Sequence, residues 1–359
     1  MATTATAVNL PYTNKTTAER MFPSFTSAQI ERLAAHGRRR PVAKGEVLFE
    51  AGSPVSPFFV VTAGQVDVIR PSLTGGDLIT VHGPGQFTGE VNMLAGRRAL
   101  VTARAIEAGE VIEIDRERLL ALVQGDAEIS EILMRAFILR RSQLLARGLG
   151  DVIVVGSAFC PETLRVKEFL TRNVHPYTYI DLDHDADVQV LLDRFHVTPK
   201  DVPVVICRGE TVLRAPSNRA IAECLGFNEA LDAARIYDLV VVGAGPAGLA
   251  AAVYAASEGL DVVVLESTAP GGQAGSSSKI ENYLGFPTGI SGHALAARAF
   301  AQAQKFGAHV LIAKSAVQLT CVNRPYTIDI GDAAPVRARA VVIATGAEYR
   351  KPPLENLPR

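Results

Sequence analysis

A glycine-rich turn at residues 243–248 reads Gly-Ala-Gly-Pro-Ala-Gly, a spacing typical of a cradle for nucleotide phosphates. A β-branched run at 240–242 precedes the turn, and small residues at 249–257 predict a helix after it. In such a turn the first glycine permits a tight bend, the second lets the backbone approach a pyrophosphate, and the third lets helix and strand pack closely. The helix N-terminus then faces the phosphates. Residues 238–266 therefore indicate a dinucleotide-binding strand–helix–strand unit.

The predicted second strand of this unit, residues 262–265, ends at Glu266. In dinucleotide-binding units, a carboxylate at this place accepts a hydrogen bond from a ribose hydroxyl. Glycine and proline interrupt the apolar run, which is also too short to span a membrane. Besides Glu266, the residues that we expect to contact the cofactor are Gly243, Ala244, Gly245, Pro246, Ala247 and Gly248.

The composition bounds the class of protein. A length of 359 residues suggests about two to three domains, and 48% hydrophobic with 20% charged residues is a globular composition. The net charge of −1 gives no indication of a nucleic-acid or membrane partner. Residues 1–20 are polar and threonine-rich, so we predict a disordered N-terminus without a signal-peptide pattern.

The cysteines and histidines argue against a disulfide framework and a metal site. The four cysteines are widely spaced with no Cys-x-x-Cys pair, which favours a reducing, cytoplasmic setting. The seven histidines show no ligand spacing, so we predict no metal. Cys207, Cys224 and Cys321 lie in or beside apolar patterns and are expected to be buried, inert thiols.

Short alternating strands separated by glycine turns characterise residues 41–115. This pattern is typical of a jelly-roll or barrel. A short amphipathic helix with Ile30 and Leu33 on one face precedes the strands, and residues 127–147 predict a long helix. We therefore expect a β jelly-roll with flanking helices over residues 21–147.

Three segments within residues 44–94 resemble those of a cyclic-nucleotide-binding domain. The resemblance implies that Gly89 and Glu90 hold the ribose of a cyclic nucleotide, and that Arg98 clamps its phosphate. Cyclic AMP and cyclic GMP are the implied effectors. A domain that keeps this fold without a competent nucleotide site is the alternative.

Arginines around residues 38–40 and 135–147 raise the question of DNA binding. A transcription factor of the catabolite-activator type carries a helix-turn-helix after the long helix. Here the chain instead continues through residues 148–150 into a predicted buried strand. We therefore expect these arginines to lie on solvated helix faces or at domain contacts, and we predict no nucleic-acid partner.

Residues 150–232 alternate predicted strands and helices, and the last strand carries Pro203 near its start. The region resembles a thioredoxin or glutaredoxin fold. The implied active site opens the first helix at Cys160, where a helix N-terminus lowers the pKa of a thiol. Thr163 occupies the place of the second cysteine, which leaves monothiol or glutathione-type exchange, or a docking module without chemistry, as alternatives.

Residues 237–359 resemble the first FAD-binding half of a low-molecular-weight thioredoxin reductase. After the glycine turn and Glu266 the family's further segments follow in order, at 270–273 (Pro-Gly-Gly-Gln), 280–283 (Ile-Glu-Asn-Tyr), 316–317 (Ala-Val) and 344–347 (Ala-Thr-Gly-Ala). The additional FAD contacts that the resemblance implies are Gly271, Gly272, Gln273, Asn282, Val317, Thr345 and Gly346. Nicotinamide binding to the same turn is the rival interpretation, and the Gly-Gly-Gln and Asn282 segments favour FAD.

The three resemblances together predict a multidomain chain. Its expected parts are the jelly-roll domain at 21–147, an α/β thioredoxin-like domain at 150–232 and an α/β Rossmann-like FAD-binding domain at 237–359. The thioredoxin reductase family implies that NADPH reduces FAD, and that a cysteine pair then passes the electrons to the disulfide of thioredoxin or a similar protein. A homodimer is also implied, with the first domain as a regulatory module.

The family's NADPH domain and its Cys-x-x-Cys pair have no counterpart in these residues. We therefore expect the FAD domain to be incomplete, with an unpaired sheet edge, and the chain to be a fragment of a longer protein. Three alternatives stay open: NADH as the donor, a non-catalytic FAD or nucleotide sensor or adaptor, and a flavin-dependent reductase of small substrates.

Overall fold

A computed structural model describes the chain over the ranges 16–54, 56–72, 75–89, 93–94, 96–146, 152–184, 201–208, 211–331 and 334–347. The chain divides into two compact units. One unit comprises residues 1–163 and 174–215, and the other comprises residues 164–173 and 216–359.

Two short helices open the first unit, α1 (Thr17–Met21) and α2 (Ser27–Ala34). At α1 the Thr16 side chain accepts from the Glu19 amide, and the Glu19 carboxylate accepts from the Thr16 amide at 2.7 Å. This reciprocal cap satisfies amides that the first helical turn leaves without partners. The disorder predicted for residues 1–20 is therefore wrong for the last part of that segment, while its first fifteen residues lie outside the described part of the chain.

The strands that follow form two antiparallel sheets. Their bounds are β1 (Arg38–Val42), β2 (Val47–Phe49), β3 (Phe58–Ala63), β4 (Val66–Ser72), β5 (Gly75–His82), β6 (Thr102–Ala105) and β7 (Gly109–Ile114). One sheet has the order β1–β7–β3, and the other has the order β2–β6–β4–β5. The predicted β-rich architecture of this region is confirmed.

Strand β3 is buried on both of its faces. Phe58 and Val60 pack into a core that includes helical residues, whereas Phe59 and Val61 pack into a second core with residues of the other sheet. Successive side chains of a strand point to opposite faces, so neighbouring residues can enter different cores. This explains why the segment reads as a continuous apolar run instead of an alternating one.

Helices α3 (Arg116–Gly125) and α4 (Ala127–Ala146) complete the first core. Phe137 of α4 is fully buried, with its ring 6.4 Å from that of Phe58 and 6.2 Å from that of Phe87. The long helix predicted over 127–147 is confirmed over residues 127–146, and residue 147 lies outside the described residues.

A four-stranded sheet follows, built from β8 (Val152–Gly156), β9 (Thr178–Asp181), β10 (Val204–Cys207) and β11 (Thr211–Arg214). Its order is β11–β10–β8–β9, in which β8 and β9 run parallel and β10 is antiparallel to both of its neighbours. Helix α5 (Pro161–Arg172) follows β8 in the chain. Residues 185–200 of this region lie outside the described residues, and the thioredoxin-like assignment stays a prediction.

The second unit contains a six-stranded sheet and three further helices, α6 (Asn218–Leu225), α7 (Pro246–Ser257) and α8 (Gly292–Lys305). The strands are β12 (Ile236–Val242), β13 (Val262–Glu266), β14 (His309–Ile312), β15 (Gln318–Thr320), β16 (Tyr326–Asp329) and β17 (Val336–Ile343). Their order is β14–β13–β12–β17–β16–β15, and β12 is parallel to both β13 and β17. The carboxyl ends of these three strands therefore meet at one edge, where open α/β sheets bind ligands.

The burial of the three remaining cysteines differs from the prediction at one position. Cys207 is buried and Cys224 is half-buried, but Cys321 is exposed. Cys321 follows β15 in the connection to β16, and turns between antiparallel strands face solvent whatever the polarity of their neighbours in sequence. Among the described residues, no helix has the length and apolar content needed to cross a membrane.

Arg140 of α4 is a buried cation that joins three segments of the first unit. Its guanidinium donates to the carbonyls of Met21 at 2.9 Å, Phe87 at 3.2 Å and Gly89 at 2.8 Å. It also lies over the rings of Phe22 and Phe87, 5.2 and 4.5 Å from their centroids. A hydrogen bond to a charged donor is worth more than a neutral one, and a buried carbonyl left without its donor is costly.

We expect Arg140→Met to lower the free energy of unfolding by about 3 kcal/mol, because the three carbonyls would lose a buried charged donor. Urea denaturation followed by circular dichroism measures the change. Arg135→Ala on the same helix is the matched control, since Arg135 forms an exposed pair with Glu131 and its loss should cost less than about 0.5 kcal/mol. Equal effects of the two substitutions would contradict the role given to Arg140.

Candidate functional site

The backbone is packed closely around the predicted glycine turn. Gly243 has φ +101°, and a Cβ added there would lie 2.4 Å from the Ala344 carbonyl oxygen. A Cβ at Gly248 would lie 1.9 Å from the Gly243 carbonyl oxygen. Because neither position has room for a side chain, these two glycines set the distances between β12, α7 and the segment after β17.

Gly245 has a different surrounding. Its φ of −69° suits any residue, and the nearest atom to an added Cβ is the Gly272 Cα at 4.0 Å. Gly245 is the N-cap of α7, no side chain caps that helix, and Pro246 occupies its first turn. The outer side of Gly245 is therefore open beside a helix N-terminus, which is the geometry that accepts a phosphate.

Glu266 stands at the end of β13 and is 8% exposed. One carboxylate oxygen accepts from the Ala244 amide at 2.8 Å, and the other accepts from the amides of Thr268 and Ala269 at 2.8 and 3.1 Å. An ionised carboxylate has about four acceptor sites, so these three hydrogen bonds leave capacity for a hydroxyl. The same bonds fix the carboxylate against the glycine turn.

Two further loops converge on this turn. The Gly271 amide donates to the Ala244 carbonyl at 2.7 Å, and a Cβ at Gly272 would lie 3.1 Å from the Gly245 Cα. The Gln273 side-chain amide donates to the Ala347 carbonyl. The predicted residues of the turn, of Gly271–Gln273 and of the segment after β17 are thus brought together at the carboxyl edge of the sheet.

Several of the predicted contacts are exposed, namely Ala247, Gln273, Asn282, Val317, Thr345 and Gly346. Thr345 and Gly346 belong to the segment after β17, whose Ala344 amide donates to the Val242 carbonyl at 2.8 Å. The Val317 amide donates to the Asp329 carbonyl at 2.7 Å, so an FAD contact through the Val317 backbone would use its carbonyl. All of the predicted FAD contacts, buried and exposed, stay predictions.

The first unit contains a cavity beside Gly89, which has φ +105°. Met93, Arg97 and Arg116 contribute to its lining. Glu90 lies outside the described residues. The sequence singled out Arg98, but the Arg98 guanidinium donates to the Gly52 carbonyl at 2.9 Å, whereas the neighbouring Arg97 is only 6% exposed and lines the cavity.

The sequence prediction did not assign Arg97 and Arg140 to this region, and the solvated helix face offered for Arg140 is wrong, because that residue is buried. Arg140 donates to the carbonyl of Gly89 from α4, fifty-one positions along the chain. No local pattern marks such a partner. The only signal for Arg97 was its place next to Arg98, and the sequence does not say which of two adjacent side chains points inward.

Cys160 is half-buried and immediately precedes α5, as predicted. The pKa of its thiol is lower than the ordinary value, because the backbone N–H of Thr163 donates to the sulfur, with a smaller contribution from the N–H of Glu162. The ring of the preceding residue, Phe159, is 82% exposed. Cys160 thus lies half-buried at the start of α5, where its thiolate forms more readily than that of an unperturbed cysteine.

We expect Cys160 to be alkylated by iodoacetamide at lower pH in the folded chain than in the same chain in urea. An unperturbed cysteine has a pKa of about 8.5. Because the pKa of Cys160 is lowered, its thiolate forms at lower pH in the folded chain, and unfolding removes the helix N–H donors that cause this. Peptide mass spectrometry of samples quenched across a pH series gives the midpoint for Cys160, and Cys160→Ser identifies its peptide. Coincident midpoints in the two states would show that the helix does not activate the thiol.

Two sequence families match this chain. Residues 39–126 match the family described as "Cyclic nucleotide-binding domain", and residues 237–358 match "Pyridine nucleotide-disulphide oxidoreductase". The second match contains the glycine turn, Glu266 and the segments that converge on them. The first match contains Gly89, Arg97 and Arg98.

Among curated relatives, the thioredoxin reductases of Bacillus subtilis (strain 168) and Listeria monocytogenes are 39% and 37% identical over 117 residues, which is 33% of this chain. The chain spans only 36% of the length of either. Of the solved structures, thioredoxin reductase from Streptococcus pyogenes MGAS5005 is 36% identical, with a TM-score of 0.31. The matched region covers 33% of this chain and 38% of the reductase chain. The chain is thus similar to cyclic nucleotide-binding domains over residues 39–126, and to the pyridine nucleotide-disulphide oxidoreductase family, including part of thioredoxin reductases, in its last third.

Proposed function

We propose that residues 237–359 bind FAD and serve an oxidoreductase of the thioredoxin reductase type. The observation that carries the proposal is the cradle at the carboxyl edge of the sheet. There the open side of Gly245, the N-terminus of α7 and the buried Glu266 carboxylate lie together. The match of residues 237–358 to the oxidoreductase family supports it.

The roles of the residues follow from their places in the cradle. The backbone at Gly245 and the amides of the first turn of α7 would bind the pyrophosphate, and Glu266 would accept a ribose hydroxyl. Gly271 and Gly272 would bring the next loop alongside the cofactor. Gln273, Asn282, Val317, Thr345 and Gly346 are proposed as the remaining contacts. Bound FAD supplies hydride and electron transfer, while the protein supplies placement and electrostatics.

The wider reaction is proposed from the relatives. NADPH would be the electron donor, and the disulfide of thioredoxin or a similar protein would be the acceptor, with the protein acting as a cytoplasmic homodimer. We further propose three domains at 21–147, 150–232 and 237–359, the middle one thioredoxin-like. A sensor that binds FAD without catalysis, and a flavin-dependent reductase of small substrates, are the competing functions.

Gly245→Ala tests the cofactor proposal without a large cost to the fold. The added methyl would meet nothing in the protein closer than 4.0 Å, but it would occupy the open side where the pyrophosphate is placed. We expect the unsubstituted chain to bind FAD and the variant to bind it at least about tenfold more weakly, with an unchanged melting temperature. Titration of each 359-residue chain with FAD, followed by flavin fluorescence, measures the two affinities.

Gly125→Ala is the matched control, because a Cβ there meets nothing within 4 Å. It should leave FAD affinity as it is. Equal FAD affinity of Gly245→Ala and the unsubstituted chain would contradict the pyrophosphate position, and no FAD binding by the unsubstituted chain would contradict the cofactor itself.

The cavity beside Gly89 favours a second function, in which a cyclic nucleotide binds the first domain and regulates the reductase. Within that cavity Arg97, and not Arg98, is the residue that we propose to contact the cyclic phosphate. A guanidinium pairs with phosphate oxygens through charged hydrogen bonds. The match of residues 39–126 to the cyclic nucleotide-binding family supports this proposal.

We expect Arg97→Ala to weaken the binding of cyclic AMP or cyclic GMP at least about tenfold, because the phosphate would lose its charged partner. Arg98→Ala, one residue along, should have a smaller effect since its guanidinium is bound to the Gly52 carbonyl. Isothermal titration calorimetry with both nucleotides measures the difference. No heat with either nucleotide would rule out the regulatory site, and a larger effect at Arg98 would reverse the assignment.

A further inference from the structure

The carboxyl end of helix α5 contacts the loop that follows β13, within the second unit. The Arg172 guanidinium donates to the Gly272 carbonyl at 2.8 Å. The Asn173 side-chain amide donates to the Thr268 carbonyl at 3.2 Å and to the Phe169 carbonyl at 2.8 Å. The loop is thus held at both of its ends by consecutive residues of one helix terminus.

A third contact adds to these two. His293 belongs to the first turn of α8, and its Nε2 lies 3.2 Å from the Thr171 carbonyl oxygen. Asn173 is 1% exposed, so its contacts are made away from water. Hydrogen bonds of buried groups are costly to break, because the partners are left without water to replace them.

The loop held in this way, residues 268–272, lies between the two main parts of the proposed cofactor cradle. At its start the Thr268 amide donates to Glu266, and at its end a Cβ on Gly272 would lie 3.1 Å from the Gly245 Cα. The amide of Thr268 is therefore bound to the cradle while its carbonyl is bound to Asn173. Any shift of this loop changes both the Glu266 carboxylate and the space beside Gly245.

We propose that Arg172 and Asn173 are positioning residues for FAD, which hold the loop 268–272 in the conformation that the cofactor requires. This inference rests on the proposed FAD site. It gives the end of α5 a role in cofactor retention that is separate from any chemistry at Cys160. A loop that is already ordered costs the ligand less conformational entropy on binding than one that must be ordered first.

Arg172→Ala removes the charged donor to the Gly272 carbonyl while leaving the helix in place, since Arg172 ends α5 and its pair with Glu168 is exposed. We expect FAD to bind about tenfold more weakly to this variant, with faster hydrogen exchange at the amides of Thr268, Ala269 and Gly271. Arg172→Lys keeps one charged donor and should restore part of the affinity.

Arg165→Ala is the matched control on the same helix. The Arg165 guanidinium donates to the Pro216 carbonyl at 2.6 Å and to the Asn218 side chain, away from the loop. A purely structural role for α5 would make the Arg165 and Arg172 variants alike in stability and in FAD affinity. If Arg172 positions the loop, only the Arg172 variant should bind FAD more weakly and show faster hydrogen exchange at the loop amides.

The measurements use the 359-residue chain, with FAD affinity from flavin fluorescence and amide exchange from mass spectrometry with and without FAD. Equal FAD affinity and equal loop exchange in the Arg165 and Arg172 variants would overturn the proposal while leaving the FAD site intact. If the unsubstituted chain bound no FAD, the proposed function would fail, and amide exchange in the cofactor-free chain would decide the positioning role by itself.

Discussion

The close approach of backbone atoms around Gly243 is the constraint on which the second unit depends. The carbonyl oxygen of Ala344 lies where a Cβ of residue 243 would be placed, and the carbonyl oxygen of Gly243 lies where a Cβ of residue 248 would be placed. This contact fixes the ends of β12 and β17 against the start of α7, and it leaves the outer side of Gly245 clear. A side chain at either glycine would separate these elements, and the edge of the sheet would lose the shape that suits a pyrophosphate.

The cradle could be predicted from sequence because its information is local. A run of valines predicts the buried strand β12, the glycine spacing predicts the turn, and Glu266 marks the end of β13. The strands and the long helix of the first unit were predictable for the same reason, since short apolar runs between glycine turns mark the strands and recurring apolar residues mark the helix. The local pattern does not extend to an exposed loop residue such as Asn282, whose FAD contact stays a prediction.

The remaining features depend on contacts between distant parts of the chain, which no local pattern encodes. Arg140 reaches carbonyls that lie far away in sequence, and Arg172 reaches Gly272 across a hundred positions. The choice between Arg97 and Arg98 depends on the backbone path, because both side chains have the same chemistry. Cys321 has apolar neighbours in sequence, but it is exposed because the chain turns there between two strands.

The double burial of β3 has a consequence for how the first unit unfolds. Phe58 and Phe59 are adjacent in the chain, yet they belong to different cores. If the helices separated from the sheet, β3 would lose half of its packing, and the second core would then be bounded by a loosened strand. Neither layer can open alone at low cost, so we expect the two cores to share one cooperative transition, in which the amides of β3 and β7 exchange together.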